Sequence, residues 1–313
     1  MFNIFIGTVD RIYSAAQLLH RSTSWNIASC LVSFFCIING VKANTPLPTI
    51  ALYSLGVPAM VKLSSGFILF LFERPWLKNV FKHIKTIRFK KDLSSDVYKE
   101  NWFFFVNQVI SLVMLETDYI IIAQLFGTDK VAVYAVSIRL STTAVGFLSA
   151  YASPLWPAIA EAKNHRDYTW MRTCFLSARK RTMSVAMGVF VFLLFAGPLV
   201  VRKWTRGLFD PPLALMAASG FYLLTVSWCQ LHALLFNGLG IIKEQSKVVS
   251  ITAFCNLIFS YLLGKKYGLS GVCWGTSLSC FLSCLWYAKR SQQEFKRVML
   301  FQKEHPLEDA YLS

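Results

Sequence analysis

Long apolar runs separated by short polar segments dominate the chain. Eight of these runs are close to the length of about 20 residues that an α-helix needs to cross the hydrocarbon core of a bilayer. The strands of a membrane β-barrel would be shorter and would alternate polar and apolar side chains. The pattern therefore predicts an all-α bundle of about eight transmembrane helices, the last two joined by a tight turn at 265–268. We place the spans at 22–41, 50–72, 101–124, 131–156, 182–201, 214–236, 248–264 and 269–287.

Basic residues fall mainly on one side of this predicted bundle. When eight spans are threaded through a membrane, alternate polar segments lie on the same face. The face that holds both termini carries 23 of the 32 Lys and Arg residues, the opposite face carries 7, and Lys62 and Arg139 lie inside spans. Because positively charged loops stay in the cytoplasm, both ends of the chain are predicted to be cytoplasmic.

Composition supports the membrane interpretation. Hydrophobic residues make up 55% of the chain and charged residues only 15%, whereas soluble domains average about 25% charged residues. In a soluble protein the net charge of +16 would indicate nucleic-acid binding. Here the basic residues lie between apolar runs, where they face anionic lipid headgroups. We therefore expect the phospholipid bilayer as a partner and no nucleic acid.

The longest polar segment, 73–100, divides the predicted spans into two and six. It carries eight basic residues, and we interpret it as a basic cytoplasmic linker that helps to orient the protein. The predicted organisation has four parts. They are a partial lobe at 1–72 with a cytoplasmic segment and two spans, the linker at 73–100, a six-helix lobe at 101–287 and a cytoplasmic tail at 288–313.

The common motifs of soluble enzymes are missing from the sequence. The chain contains no GxxxxGK[ST] or GxGxxG phosphate-binding loop, no HExxH zinc motif and no GxSxG nucleophile motif. Its eight Cys residues form no CxxC pair and no Cys/His cluster with zinc-like spacing, so we interpret them as small core residues. We predict a membrane protein that is not an enzyme, with no catalytic residue, no metal and no cofactor.

Polar residues inside the third span are candidates for function, because a polar group is costly within a bilayer. Asn107, Ser111 and Asp118 follow one another at steps of four and seven residues, which places them on one helical face. Glu116 lies nearby but is turned well away from Asp118, and it could simply reach the far interface. The shared face predicts that this span contributes to a polar interior.

Two basic residues lie within apolar spans. Arg139 in the fourth span and Asp118 in the third are each a few turns from their connecting loop, so they could sit at comparable depth and pair. Such a pair could fix the hairpin or line a pathway, and the sequence favours neither. Lys62 lies near the middle of the second span, where its side chain has the greatest distance to reach water.

The third and fourth spans also resemble a known family. The similarity rests on FF near the start of the third span, TDYIII at 117–122, Gly127, VAVYAVSIRL at 131–140 and a Pro-Ala-Glu segment near 157–161. In these features the chain resembles polysaccharide-biosynthesis membrane proteins, the O-antigen or capsule repeat-unit flippases of the multidrug/oligosaccharidyl-lipid/polysaccharide exporter superfamily. The text LYSLGVP in the second span, followed by LFERPW, resembles the family's sixth helix and its middle linker.

The resemblance implies two six-helix lobes around a central cavity that opens to one side of the bacterial inner membrane at a time. Its substrate would be an undecaprenyl-pyrophosphate-linked oligosaccharide, moved from the cytoplasmic to the outer leaflet. A proton or sodium coupling ion and other polysaccharide-assembly membrane proteins are further partners that the family implies. Six residues are the candidates for this cavity. Lys62 and Arg139 would meet pyrophosphate or acidic sugars, Asp118 or Glu116 would carry a proton or organise the cations, and Asn107 and Ser111 would complete the lining.

The chain departs from the family pattern in its number of helices. Members usually have at least twelve, whereas the eight predicted here correspond to helices five and six of the first lobe and to a whole second lobe. The resemblance therefore implies that helices one to four are missing. We expect a truncated and inactive product, a misplaced start or a subunit that needs a partner. The functional alternatives are a multidrug or cation antiporter of the same superfamily, which the buried Lys62 and Arg139 disfavour, and a non-transporting membrane protein of the polysaccharide pathway.

Overall fold

The computed structural model describes Tyr13, residues 19–68 and residues 91–304. These residues are almost entirely helical and contain no β-strand, which confirms the predicted all-α membrane fold. The chain divides into two compact units, Met1–Lys90 and Lys91–Ser313, which are described one at a time. Parts of the predicted cytoplasmic segments lie outside the described residues, namely 1–12, 14–18, 69–90 and 305–313.

The first unit is an antiparallel pair of helices, α1 (Leu19–Lys42) and α2 (Leu47–Ile68). One hydroxyl bond joins the two helices, and a second joins Tyr13, which precedes α1, to α2. Ser33 Oγ donates to the carbonyl oxygen of Tyr53 at 3.1 Å, and the Tyr13 hydroxyl donates to the carbonyl oxygen of Ser65 at 3.0 Å. Such bonds are typical of helix pairs in membranes, where apolar surface alone gives little preference for one packing.

The second unit contains seven helices among its described residues. They are α3 (Lys91–Phe126), α4 (Thr128–Ala152), α5 (Leu155–Asn164), α6 (Tyr168–Phe195), α7 (Gly197–Trp204), α8 (Leu213–Leu239) and α9 (Ile242–Glu304). Gly127 separates α3 from α4 with a φ of 87°, and Gly240 ends α8 with a φ of 76°. Both positions need a positive φ, which glycine adopts without the steric penalty of a side chain.

The long helix α9 is a hairpin of two arms, 242–267 and 269–304. Gly268, with φ 67° and ψ −148°, breaks the helix between them. Side chains far apart in sequence then meet across the arms. Asn256 Nδ2 lies 2.8 Å from Thr276 Oγ1, and Ser260 Oγ lies 3.2 Å from the carbonyl oxygen of Val272. The reversal predicted at 265–268 is therefore confirmed, but the helix continues through Tyr267 and breaks only at Gly268.

The fifth predicted span, 182–201, lies within the helices α6 and α7. Helix α6 begins before the predicted span, at Tyr168, and the chain bends by 67° between α6 and α7. The Asp167 side chain caps the start by accepting a hydrogen bond from Trp170 N at 3.0 Å. Pro198 explains the bend, since it is tolerated in the first turn of α7 but would interrupt a continuous helix.

Six helices of the described chain are long and apolar enough to cross a membrane, or seven if α6 and α7 form one span. In that number α9 counts as a single helix. Its two antiparallel arms, counted separately, add one more span, so the described residues can accommodate the eight spans that the hydropathy pattern predicts.

Helix α8 is the central helix of the second unit. It packs against α4, α5, α6 and α9, and its buried residues include Leu231, Leu235 and Phe236. Gly238 permits the close approach of α5, because a Cβ atom there would lie 2.6 Å from Ile159 Cγ2.

Candidate polar cavity

A cavity of about 260 Å³ lies between α3, α8 and the two arms of α9. Its lining combines neutral polar side chains with the aromatic residues Tyr222 and Tyr287, and none of the described residues that line it is charged. The polar members are Asn107 and Ser111 of α3, Gln230 of α8, and Gln245, Thr252 and Ser283 of α9. The structure thus brings the two predicted candidates Asn107 and Ser111 together with amides and hydroxyls of two other helices.

Some of these polar groups are available to a ligand. Asn107 Oδ1 and Gln245 Oε1 are buried and accept no hydrogen bond from any described residue. Buried polar atoms in proteins nearly always have a partner, so these two amides can bind water or a substrate. Other hydroxyls are already satisfied: Ser111 Oγ donates to the carbonyl oxygen of Asn107 at 2.8 Å, and the Thr252 and Ser283 hydroxyls bond to each other.

The cavity lies near one end of the bundle. Asn107 is about two turns from the start of the third predicted span, Gln245 lies near the start of the first arm of α9, and Tyr287 is the last residue of the eighth predicted span. The charge pattern of the sequence predicts that this end faces the cytoplasm. With that predicted orientation, a substrate of the cytoplasmic leaflet could enter the cavity.

Asp118 lies deeper on the same face of α3, about 10 Å along the helix from Ser111. Its side chain is 5% exposed. Asp118 Oδ2 accepts hydrogen bonds from the Tyr134 hydroxyl at 3.0 Å and from Thr276 Oγ1 at 2.6 Å. Asn256 Nδ2 in turn donates to Thr276. Asp118 Oδ1 has no partner among the described residues, so one carboxylate oxygen is left to bind a proton or a cation.

The pair suggested between Asp118 and Arg139 was wrong. Asp118 bonds to Tyr134 and Thr276 instead, and no ion pair joins Arg139 to an acidic residue in the described chain. The physical reason is the rotation of α4 about its own axis. Tyr134 is buried and faces α3, whereas Arg139 lies on an exposed face of α4. Both Arg139 and Glu116 lie close enough to the Tyr119 hydroxyl to interact with it electrostatically.

The remaining two candidates, Glu116 and Lys62, lie on helices of different units. Glu116 is exposed on α3, and Lys62 is partly exposed on α2 of the first unit, where its carbonyl oxygen accepts a bond from Ser65 Oγ at 2.7 Å. Their roles in a substrate pathway stay predictions. No group of three or more metal-ligating side chains occurs in the residues that the structure describes.

Sequence reasoning missed the contributions of α8 and α9 to the cavity. The six candidates from the sequence do not include Gln230, Gln245, Thr252 or Ser283, which all line the cavity. A signal was present, because Gln245, Val249 and Thr252 recur at helical spacing and all line the cavity. Gln230 also borders a second cavity of about 240 Å³, where it bonds to Ser149 of α4.

The fold defines the class of protein. A crystal structure of a MATE transporter in the bent conformation superposes on 96% of this chain and 67% of its own, with a TM-score of 0.76 and 12% identity. An outward-facing multidrug resistance MATE transporter of the MOP superfamily gives a TM-score of 0.73 at 12% identity, over 95% of this chain and 68% of its own. The chain therefore has the fold of MATE transporters and is a multi-pass membrane protein.

The sequence comparisons point to one family. A family model described as polysaccharide biosynthesis protein matches residues 49–204. A Salmonella typhi protein named as an O-antigen transporter is 22% identical over 297 residues, which are 90% of this chain and 64% of that protein. Together these matches confirm the resemblance found in the sequence, and the chain is similar to polysaccharide biosynthesis membrane proteins. The chain spans just under two thirds of the length of that relative.

Proposed function

We propose that the chain moves a lipid-linked oligosaccharide repeat unit, carried on undecaprenyl pyrophosphate, across the bacterial inner membrane. The observation that carries this proposal is the uncharged polar cavity between α3, α8 and α9. Sugar hydroxyls both donate and accept hydrogen bonds, and the amides of Asn107, Gln230 and Gln245 can do the same. The lipid tail would stay in the bilayer while the cavity receives the glycan.

The anionic pyrophosphate needs a cation. Arg139 lies near the middle of α4, its side chain is exposed, and the helix around it is apolar. Contact of a guanidinium with lipid costs at least about 2.5–3.5 kcal/mol, so we infer that Arg139 faces a hydrated pathway. Lys62 is the corresponding candidate on α2 of the first unit. Arginine binds phosphate in a bidentate manner and lysine binds it as a point charge.

Asp118 is our candidate for coupling transport to an ion. Its Oδ1 atom is buried without a described partner, which costs about 1–3 kcal/mol or more for a charged group unless a proton or cation binds there. Asp118→Asn removes the charge and keeps the shape. We expect it to abolish the dependence of transport on a proton or sodium gradient across the membrane. Transport by the variant that still follows the gradient would contradict the coupling role.

Complementation tests the proposal in cells. The chain is expressed in a strain that lacks its O-antigen flippase, and surface glycan is measured by gel electrophoresis of the extracted lipopolysaccharide. We expect the parent chain to restore export and Arg139→Ala to reduce it by about tenfold or more, because a charge-assisted bond is worth about 1.5–3 kcal/mol. Lys62→Ala should also reduce export.

Two exposed basic residues outside the proposed pathway serve as controls. Arg202→Ala on α7 and Lys42→Ala at the end of α1 remove the same charges and should leave export unchanged. Normal export by Arg139→Ala and Lys62→Ala together would contradict the role of the cations. Failure of the parent chain to export glycan would contradict flippase activity of this chain, and drug resistance in the same strain would favour the antiporter alternative.

A further inference from the structure

A separate cleft, larger than the polar cavity, lies at the same end of the second unit. It has a volume of about 770 Å³, within the range of about 300–1,000 Å³ that small-molecule sites occupy. The loop after α8, the start and end of α9, and the loop between α5 and α6 surround it. Its charged lining residues are Lys163, Lys243, Glu244, Arg290, Glu294 and Arg297.

An ion-pair cluster forms one wall of the cleft. Arg290 Nε and Nη2 donate to the two carboxylate oxygens of Glu244 at 2.7 and 3.2 Å, and Arg290 Nη1 pairs with Glu294 at 2.5 Å. The hydrogen bonds from Arg290 lower the pKa of Glu244, so the carboxylate stays ionised near neutral pH. This cluster links the two arms of α9 where they leave the predicted membrane region.

The other cations are available to bind an anion. Lys163, Lys243 and Arg297 are exposed and form no ion pair within the described part of the chain. Lys163 Nζ donates one bond, at 2.8 Å, to the carbonyl oxygen of Leu239 at the end of α8, which holds the ammonium group at the cleft. Four cations and two carboxylates give the lining a net charge of +2.

The position and the apolar walls favour a lipid over a soluble anion. Glu244 precedes the seventh predicted span by four residues and Arg290 follows the eighth by three, so the cleft lies at the level of lipid headgroups. Leu239, Ile241 and Val298 provide apolar surface beside the cations. Basic pockets between membrane helices on the cytoplasmic side commonly hold anionic headgroups. We propose that this cleft binds the phosphate headgroup of an anionic phospholipid.

Binding of phosphatidylglycerol to the purified full-length chain tests the proposal. Lipid retained in a neutral detergent is counted by native mass spectrometry and titrated to obtain an affinity. The triple variant Lys163→Gln, Lys243→Gln, Arg297→Gln should bind about a hundredfold more weakly, because each basic residue near an anionic lipid contributes roughly fivefold. The matched control is Lys130→Gln, Lys265→Gln, Lys266→Gln, which removes three charges near the start of α4 and the Gly268 break, at the opposite end of the unit, and should bind as the parent does.

Three further measurements complete the test. Because Lys163 also holds the end of α8, the double variant Lys243→Gln, Arg297→Gln is measured separately, with an expected loss of about twenty-five-fold. Phosphatidylcholine should bind far more weakly than phosphatidylglycerol, and equal retention of the two would overturn the proposal. Displacement of phosphatidylglycerol by inorganic phosphate at equal concentration would assign the site to a soluble anion and also overturn it, as would parental affinity in the triple variant.

Discussion

Asp118 shows how one carboxylate is held inside an apolar helical bundle. Its Oδ2 atom accepts bonds from Tyr134 of α4 and Thr276 of α9, so a single side chain joins three helices. Inside a protein such bonds are strengthened by the low local dielectric constant, and an unpaired charge is penalised for the same reason. The bond from Thr276 should therefore contribute both to stability and to the orientation of the carboxylate.

Replacement of Thr276 by valine tests this contribution. The variant keeps the branched shape and removes the hydroxyl that lies 2.6 Å from Asp118. We expect a loss of about 1.5–3 kcal/mol, because a hydrogen bond to a charged group is removed from a buried site. Thermal unfolding of the protein in detergent, followed by tryptophan fluorescence, should show a lower Tm.

Thr173→Val is the matched control, since this exposed threonine bonds only to the backbone of its own helix, at 2.9 Å. Its Tm should change little. Equal Tm values for Thr276→Val and the parent would contradict the importance of the buried bond.

Single residues were only partly predictable from the sequence. Hydropathy placed Asp118, Asn107 and Ser111 on one helical face, and the cavity contains two of the three. The partner of Asp118 was assigned wrongly because depth along a helix says nothing about rotation around it. Thr276 lies 158 residues away in sequence, and a contact of that separation has no local signature.

The hairpin α9 depends on small residues where its arms touch. A Cβ atom at Gly275 would lie 2.5 Å from Ser260 Cα, and the neighbouring Gly271 makes a similarly close approach to Leu263. Glycines four residues apart form a flat face that lets helix backbones pack closely in membranes. The arms carry the Asn256 and Thr276 bonds that support Asp118, so loosening the hairpin should disturb the candidate site.

Gly275→Ala should destabilise the protein. The added methyl group meets backbone atoms that cannot rotate away, and overpacking of this kind costs about 1–3 kcal/mol. Gly146→Ala is the control on α4, where a Cβ atom meets no other atom within 4 Å. That change should be neutral or stabilising by up to about 1 kcal/mol, since alanine favours the helix. The comparison of Tm values for the two variants measures the effect, and a Gly275→Ala protein as stable as Gly146→Ala would contradict it.

Helix ends were less predictable than helix positions. The fifth predicted span, 182–201, begins directly after Arg179, Lys180 and Arg181. The helix itself starts at Tyr168, since α-helical hydrogen bonding continues into water and is limited by the Asp167 cap. Hydropathy predicts which residues cross the membrane, whereas capping residues predict where the helix begins.

At the scale of the whole molecule, the charge asymmetry predicts the orientation in the membrane. The face that carries 23 basic residues should be cytoplasmic. Alkaline phosphatase fused after residue 206 or 266 should be active, because the enzyme folds only outside the cytoplasm. Green fluorescent protein fused after residue 165 or at the C-terminus should fluoresce. The reverse pattern at any two of these sites would contradict the topology.

The overall fold was predictable because long apolar runs and basic loops constrain a membrane bundle strongly. The interior surface was not, since it depends on how α3, α8 and α9 rotate to face one another. The cavity exists because Gln245 and Ser283 lie on the same lining as Asn107 in the folded chain. These neutral side chains suit a sugar ligand better than a cationic drug, which would need an acidic cavity.

The central claim is that this cavity receives the glycan of a lipid-linked oligosaccharide. Its most direct test is the affinity of the purified chain for an undecaprenyl-pyrophosphate-linked oligosaccharide, measured by native mass spectrometry beside the double variant Asn107→Ala, Gln245→Ala. Each lost hydrogen bond is worth about 0.5–1.5 kcal/mol, so we predict roughly tenfold weaker binding. The control Gln108→Ala, Gln292→Ala removes two exposed amides and should bind as the parent does. Equal affinity of parent and Asn107→Ala, Gln245→Ala, or preferential binding of a cationic dye, would contradict the account.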